Sequence, residues 1–189
     1  MTISSDKRHA RRTARLAAVQ AIYQLEQSET PLDKVLDEFI NFRLCAAEPD
    51  EPDIIVDIKH FETVVRHTWH NLEKIDQLLI PTLPDRWPIN RVESVLRAIL
   101  RSGIGELIME SDIDPAVTIN EFIEVTRAFY ARKEPAFVNG ILDKVARNLK
   151  LNLESNDKKT EQFINQFGKE KNISGLGGWE GEGGHFDEE

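Results

Sequence analysis

The sequence predicts an all-α fold, a compact bundle of six to seven helices with a flexible tail at the C-terminal end. Apolar residues recur at spacings of three and four in nearly every segment, which is the period of a helix face. No segment alternates between polar and apolar residues as a half-buried strand does. Of the 189 residues, 40% are hydrophobic, which is enough for one core and too much for a fully disordered chain. We therefore expect one helical domain over residues 1–150 and a tail over residues 151–189.

The first two helical segments are each defined by one apolar face. In the segment 6–27 the apolar face is formed by residues at i, i+3, i+4, i+7, i+8 and i+11: Ala14, Ala17, Ala18, Ala21, Ile22 and Leu25. The second segment, 30–40, opens with Thr30, a good capping residue, and Pro31, which suits the first helical position. Both segments are therefore expected to be amphipathic helices.

Proline-rich and acidic stretches separate the other four segments. The third segment follows an acidic loop and is the longest, running over 53–79 until the proline-rich stretch 81–88 ends it. The last three segments lie at 89–111, 117–132 and 135–149. The final break falls at Glu134-Pro135, because proline disfavours helical geometry in the residue before it.

The residues after 150 differ in composition from the predicted domain. Residues 151–189 carry nine acids against four bases, and the stretch 174–189 contains six glycines. Such a composition is costly to order, so we expect an acidic, glycine-rich tail that is disordered apart from a weak helix at 158–171.

Composition and motifs exclude several classes of protein. No stretch is long and apolar enough for a membrane helix, and the basic start has no apolar region behind it that would make a secretory signal. Cys45 is the only cysteine, so a reduced, intracellular setting is expected. His67 and His70 are i, i+3 neighbours without a third ligand at metal-binding spacing, and no nucleophile or phosphate-binding motif is present. We expect no metal, no cofactor and no enzyme activity.

A cluster of arginines marks the first predicted helix. Arg8, Arg11, Arg12 and Arg15 have spacings of three, one and three, so they share one side of the helix and are offset from the alanine face. Their guanidinium groups are therefore expected to be free for the phosphates of a nucleic acid. The other interpretation of the cluster is a solvated helix end or a disordered leader, on a chain whose net charge is −9.

Three patches of the sequence, the first of which contains most of these arginines, together resemble a known family. They are RRTARLAAVQAIYQ at 11–24, LRSGIGEL at 100–107 followed by DPAVTINEF at 114–122, and FVNGILD at 137–143. Their order and spacing resemble the NusB family of bacterial transcription antitermination proteins. The resemblance covers about residues 8–149 and leaves out the tail.

The resemblance implies both a fold and a function. It implies a helical bundle that binds boxA, a single-stranded segment of ribosomal RNA leader transcripts, together with NusE, a small-subunit ribosomal protein. It also implies a larger complex with NusA, NusG and RNA polymerase that keeps the polymerase elongating. Such a protein is a cytoplasmic RNA-binding factor and not an enzyme.

The candidate RNA-binding residues come partly from the resemblance and partly from residue chemistry. The resemblance assigns this role to Arg11, Arg12, Arg15, Tyr23 and Phe137, and charge adds two more residues, Arg8 and Lys133. Each aromatic has a purely structural alternative. Tyr23 shares an apolar row with Leu16 and Val19 and is equally suited to the core, and Phe137 suits the first core position of the last helix.

Two other functions fit the same sequence. One is a helical protein–protein adaptor whose arginines pair with an acidic partner, without specific RNA binding. The other is the NusB-like front of a ribosomal RNA cytosine methyltransferase, but this sequence has no room for a catalytic βα domain.

Overall fold

The computed structural model describes residues 2–44, 56–84, 87–109 and 113–167, and over these residues the chain forms seven α-helices and no strand. The helices are α1 (Thr2–Gln27), α2 (Leu32–Glu38), α3 (Ile58–His70), α4 (Leu72–Leu79), α5 (Ser94–Leu107), α6 (Pro115–Phe129) and α7 (Glu134–Phe167). A short π-helix (Phe39–Leu44) extends α2, and 3₁₀ turns lie at Ile80–Thr82 and Ile89–Arg91. The predicted all-α fold is confirmed.

Two helix boundaries differ from the sequence prediction, one because of a single polar residue and the other because of a 3₁₀ turn. The predicted long helix at 53–79 is wrong, since Asn71 divides it into α3 and α4. The Asn71 side chain donates to the carbonyl oxygen of His67 at 2.8 Å, and so competes with the helical backbone at this point. Similarly, α5 begins at Ser94 and not at Ile89, because Ile89–Arg91 forms a 3₁₀ turn.

The last helix is longer than the sequence predicted. We expected one helix to end near residue 149 and a weak one to follow at 158–171, but α7 is continuous over Glu134–Phe167. No glycine or proline lies between Gly140 and Gly168 to interrupt it. The chain divides into two units, Met1–Leu149 and Lys150–Glu189. The glycine-rich stretch predicted to be disordered lies outside the described residues.

The core of the first unit is built around α1 and α5. The helix α1 packs on α3, α5 and α6, and its predicted alanine face is buried, with Ala14, Ala18 and Ile22 fully inaccessible. Small side chains on that face let the neighbouring helices approach closely. Most residues of α5 are buried, including both of its glycines, as expected for a helix surrounded by others.

The two glycines of α5 are explained by close helix packing. A Cβ at Gly105 would meet the Thr68 hydroxyl well inside contact distance and would lie 3.3 Å from the Thr68 Cα on α3. A Cβ at Gly103 would lie 3.0 Å from the methyl groups of Leu142 on α7. The glycines therefore hold α5 against its neighbours, where a larger residue would push the helices apart.

Over the described residues, none of the helices has the length and apolar content required to cross a membrane.

Replacing Gly105 with alanine is expected to lower the free energy of unfolding by about 1–3 kcal/mol, because the new methyl group has no room against α3. Urea unfolding followed by circular dichroism measures the change. Gly140→Ala is the matched control, since nothing lies within 4 Å of a Cβ at this exposed helical position. That variant is expected to gain about 0.4–1 kcal/mol. Equal effects of the two substitutions would contradict the packing role of Gly105.

Candidate nucleic-acid interface

The positive charges at the start of α1 line a groove against α6. The groove has a volume of about 210 Å³, and its charged lining is four basic residues from α1 and one acid from α6: Lys7, Arg8, Arg11, Arg15 and Glu121. Lys7 and Arg8 are exposed, and neither forms an ion pair in the part of the chain that the structure describes. This end of the groove therefore carries uncompensated positive charge.

Arg11 is held loosely at the edge of the groove. Its Nε lies 3.4 Å from Oδ2 of Asp57, and both side chains are partly exposed. The other carboxylate oxygen of Asp57 accepts the His60 backbone N–H at 3.0 Å and so caps α3. An exposed ion pair of this kind contributes only about 0–1 kcal/mol, so a phosphate can displace the carboxylate at little cost.

Arg12 is anchored more firmly, by Glu121 of α6. Its Nε and Nη2 donate to the two carboxylate oxygens of Glu121 at 2.8 and 3.1 Å. This hydrogen bonding raises the pKa of Arg12, although burial acts in the opposite direction. Two of the five N–H donors of the guanidinium are used in this way, and the side chain is still 40% exposed. Arg12 therefore has donors left for a ligand.

Arg15 does not have the free guanidinium that the sequence predicted, and that expectation is wrong. Its side chain is only 3% exposed, and its Nε donates to Glu106 Oε1 and Oε2 at 3.1 and 2.9 Å. Its Nη1 also lies 4.0 Å from Oε2 of Glu121. The reason is that α5 and α6 each bring an acid onto this turn of α1, and helix periodicity alone does not reveal such distant partners.

The ion pair of Arg15 also fixes the charge state of Glu106. Burial disfavours the charged form of this carboxylate, but the contacts from His60 and Arg15 outweigh it, so the pKa of Glu106 lies below its usual range. The Nε2 of His60 lies 3.5 Å from Oε2 of Glu106. Glu106 is therefore an ionised, buried carboxylate that ties α1 and α3 to α5.

Tyr23 lies two turns beyond Arg15 and faces a second groove. This groove has a volume of about 550 Å³ and brings Tyr23 and Val19 together with Val95 of α5 and Phe129 of α6. The Tyr23 side chain is 38% exposed, so it is not the plain core residue of the structural alternative. Its ring is accessible to a stacking ligand.

Phe137 and Lys133 lie at a third site, where α7 begins. Phe137 is half-buried and forms a tilted pair with Trp87, with ring centroids 5.6 Å apart. Lys133 is exposed in the turn before α7, and its carbonyl oxygen accepts the Phe137 N–H at 3.1 Å. A cavity of about 480 Å³ is lined by Phe137, Trp87, Lys133 and also Tyr130.

The helix α6 contributes to two of the three sites, and the residue after it lines the third. It starts at Pro115, with Asp114 capping it by accepting the Ala116 N–H at 2.8 Å. Glu121 lies at the arginine groove, Phe129 at the Tyr23 groove, and Tyr130 directly follows at the third cavity. Eight helical residues from Glu121 to Phe129 span about 12 Å. The arginine groove and the Tyr23 groove therefore lie about 12 Å apart along this helix.

Sequence reasoning missed several residues of this surface. It did not single out Glu106 and Glu121, whose pairing with arginines becomes visible only when α5 and α6 pack against α1. The sequence pattern also gives Trp87 no role, because the proline-rich stretch that contains it predicts only the end of a helix. A tryptophan between Asp85-Arg86 and Pro88 in a polar linker is an unusual placement, and that was the available signal.

Comparison with known proteins identifies the family. Residues 12–147 match the model of the NusB family. This chain belongs to the NusB family. The transcription antitermination protein NusB of Granulibacter bethesdensis is 40% identical over 147 residues, covering 74% of this chain and 89% of that protein. NusB of Caulobacter vibrioides is 37% identical, covering 77% and 98%.

Solved NusB structures have the same fold. NusB of T. maritima aligns with a TM-score of 0.59 and 33% identity, over 72% of this chain and 90% of that chain. NusB in a complex of the antitermination factors NusB and NusE with double-stranded RNA aligns with a TM-score of 0.62 and 20% identity, over 74% and 97%. The family match begins at Arg12, so Arg8 and Arg11 lie just before the matched residues.

Replacing Glu106 with glutamine is expected to destabilise this NusB family member by about 3–5 kcal/mol at neutral pH, because the buried Arg15 loses its hydrogen-bonded carboxylate and keeps only Glu121, at 4.0 Å. Urea unfolding measures the loss. Glu124→Gln is the control, since Glu124 is a partly exposed acid of α6 that pairs with Arg127 on the surface. That substitution is expected to change stability by less than about 1 kcal/mol.

The difference in the free energy of unfolding between the parent protein and Glu106→Gln is expected to depend on pH. Because the pKa of Glu106 is lowered in the folded protein, its stabilisation is complete above the ordinary glutamate pKa of about 4.3 and is lost as the pH falls through the lower folded value. The difference in stability between the parent and Glu106→Gln should therefore shrink as the pH falls below about 4.3. A constant difference down to about pH 2 would contradict this role of the carboxylate.

Proposed function

We propose that this protein is a transcription antitermination factor that binds the unpaired boxA RNA of ribosomal RNA leader transcripts together with NusE. The observation that carries the proposal is the groove between α1 and α6, where Lys7 and Arg8 have no ion-pair partner among the described residues and Arg11 has only a weak one. The named function of the relatives supports it, and the solved complex of NusB and NusE with double-stranded RNA supports RNA and NusE as partners, while the preference for unpaired RNA rests on the exposed aromatic rings.

In this proposal the arginine groove binds the RNA backbone. Arg8, Arg11 and Arg12 supply charge-assisted donors to phosphate oxygens, while Arg15 acts indirectly by fixing the position of α1. Tyr23 and Phe137 offer rings on which unpaired bases stack, and Lys133 adds a charge beside Phe137. The protein acts by binding and positioning RNA in the cytoplasm, without a metal, a cofactor or a catalytic group.

A second protein completes the RNA-binding surface. The chain has a net charge of −9, so it repels RNA outside the basic groove and its own affinity is modest. NusE adds contacts and charge, and the pair then joins NusA, NusG and RNA polymerase in a larger complex. We assign these contacts to the domain of residues 1–150 and treat residues 151–189 as an appendage.

Replacing Arg8 and Arg11 together with alanine is expected to weaken binding to a single-stranded boxA oligonucleotide at least tenfold at low salt. Each phosphate contact on a single strand contributes about 0.7 to the magnitude of the slope of log K against log salt. Because two contacts are lost, the magnitude of this slope should fall by about 1.4. Fluorescence anisotropy at several salt concentrations measures both quantities.

Arg66→Ala with Arg147→Ala is the matched control, because these arginines lie on α3 and α7 and pair with Asp33 and Asp143. This pair of substitutions is expected to leave the affinity for RNA unchanged. If the Arg8 and Arg11 variant binds RNA like the parent at the same salt, the arginine groove is not the RNA site. If the parent binds an unrelated acidic protein as tightly as RNA, the adaptor function is correct instead.

Adding NusE is expected to tighten RNA binding by the parent about 5- to 150-fold, the usual range for coupling between two sites. Anisotropy titrations with and without NusE measure the coupling, and duplex RNA of the same sequence tests the preference for unpaired bases. An affinity for boxA that NusE leaves unchanged would show that the two partners do not share a surface.

A further inference from the structure

The third cavity has a feature that the proposed function does not use. Trp87 is 49% exposed although it is one of the largest apolar side chains of the molecule. Its backbone is held in place, since its N–H donates to the Pro84 carbonyl at 2.8 Å and Pro88 follows it. The indole lies beside the Phe137 ring.

The aromatic groups of this cavity are arranged as a stacking surface. The rings of Trp87 and Phe137 have centroids 5.6 Å apart and planes at 54°, so together they form two walls with Tyr130 beside them. A flat ligand entering the cavity lies against the indole and covers apolar surface that now faces water. Stacking of a nucleic acid base on an aromatic side chain is a strong and sequence-tolerant contact.

The charges around the cavity select the kind of ligand. Arg91 and Lys133 supply two cations and Glu93 and Glu134 supply two carboxylates, and none of the four forms an ion pair in the part of the chain that the structure describes. Carboxylates repel a free anion but accept hydrogen bonds from the amino groups of bases, while the cations attract the neighbouring phosphates. A base within an RNA strand satisfies both groups at once.

We propose that Trp87 binds one unpaired base of the RNA, which stacks on the indole next to Phe137 and extends the RNA-binding surface beyond the arginine groove. This inference rests on the proposed function. Tyr130, which lines this cavity, directly follows Phe129 of the Tyr23 groove in the sequence. Trp87 is then a residue that adds affinity and selects unpaired over paired RNA, because a base within a duplex is already stacked.

The first experiment uses the fluorescence of Trp87. The chain contains three tryptophans, so Trp69→Phe with Trp179→Phe leaves Trp87 as the only one. Titration of this variant with boxA RNA is expected to quench the indole emission, with the midpoint at the dissociation constant measured by anisotropy. Binding without any quenching would show that no base contacts Trp87, and would overturn the inference.

The second experiment measures the contribution of the ring. Trp87→Ala is expected to weaken boxA binding about tenfold, within the range of one stacked base, and to leave the salt slope unchanged because no phosphate contact is lost. Trp87→Phe keeps a stacking ring and should bind within about threefold of the parent. Ile80→Ala is the control, since Ile80 is a similarly exposed apolar residue, 52% accessible, and should have no effect.

Abasic oligonucleotides identify the partner of Trp87. One abasic position is expected to weaken binding by the parent about tenfold and binding by Trp87→Ala much less, since the two changes remove the same contact. If all abasic positions affect both proteins equally, the inference is wrong.

If Trp87→Ala weakens NusE binding but not RNA binding, the cavity is a protein site. If the Arg8 and Arg11 variant loses RNA binding while Trp87→Ala binds RNA like the parent protein, only this inference is wrong. If the parent protein itself does not bind boxA RNA, the proposed function is wrong.

Discussion

The buried ion pair between Arg15 and Glu106 is the interaction on which the arrangement of the surface depends. Two charges with 3% and 1% of their side chains exposed are tolerable only when they are paired. The pair therefore permits one register of α1 against α5, because sliding or rotating α1 would leave both charges buried and alone. Arg11 and Arg8 lie about one and two turns earlier on the same helix, so this register also decides where they meet solvent.

Glu121 gives the neighbouring arginines different roles. It lies against Arg12 and close to Arg15, so part of the positive charge predicted for the first helix is neutralised within the fold. The charge that remains for a ligand is concentrated on Lys7, Arg8 and Arg11. In an anionic protein such a local concentration of charge, and not the net charge, attracts RNA, and salt screens it over about 10 Å at 0.1 M.

The sequence predicted the fold well because a helical bundle depends on patterns within each segment. The alanine face of α1 and the prolines that separate the helices are local signals, although α2 begins at Leu32 with Pro31, and not Thr30, at its N-cap. The errors arose where a single side chain or a distant partner decides the outcome. Asn71 ends α3 through a hydrogen bond that does not disturb the apolar period, and the partner of Arg15 is 91 residues away in sequence. The candidate site was therefore predicted as a set of residues, but not with the correct division between free and paired charges.

The use of α6 as a common support has a consequence for recognition. Glu121 and Phe129 place this one helix at the arginine groove and at the Tyr23 groove, and a helix is much stiffer than a loop. The spacing between the arginine groove and the Tyr23 groove is thus set before a ligand arrives, and less conformational entropy is lost on binding. A fixed spacing suits an unpaired strand, whose backbone adjusts to place successive bases on separate rings. A rigid duplex has no such freedom, so the preorganised helix and the flexible strand are complementary.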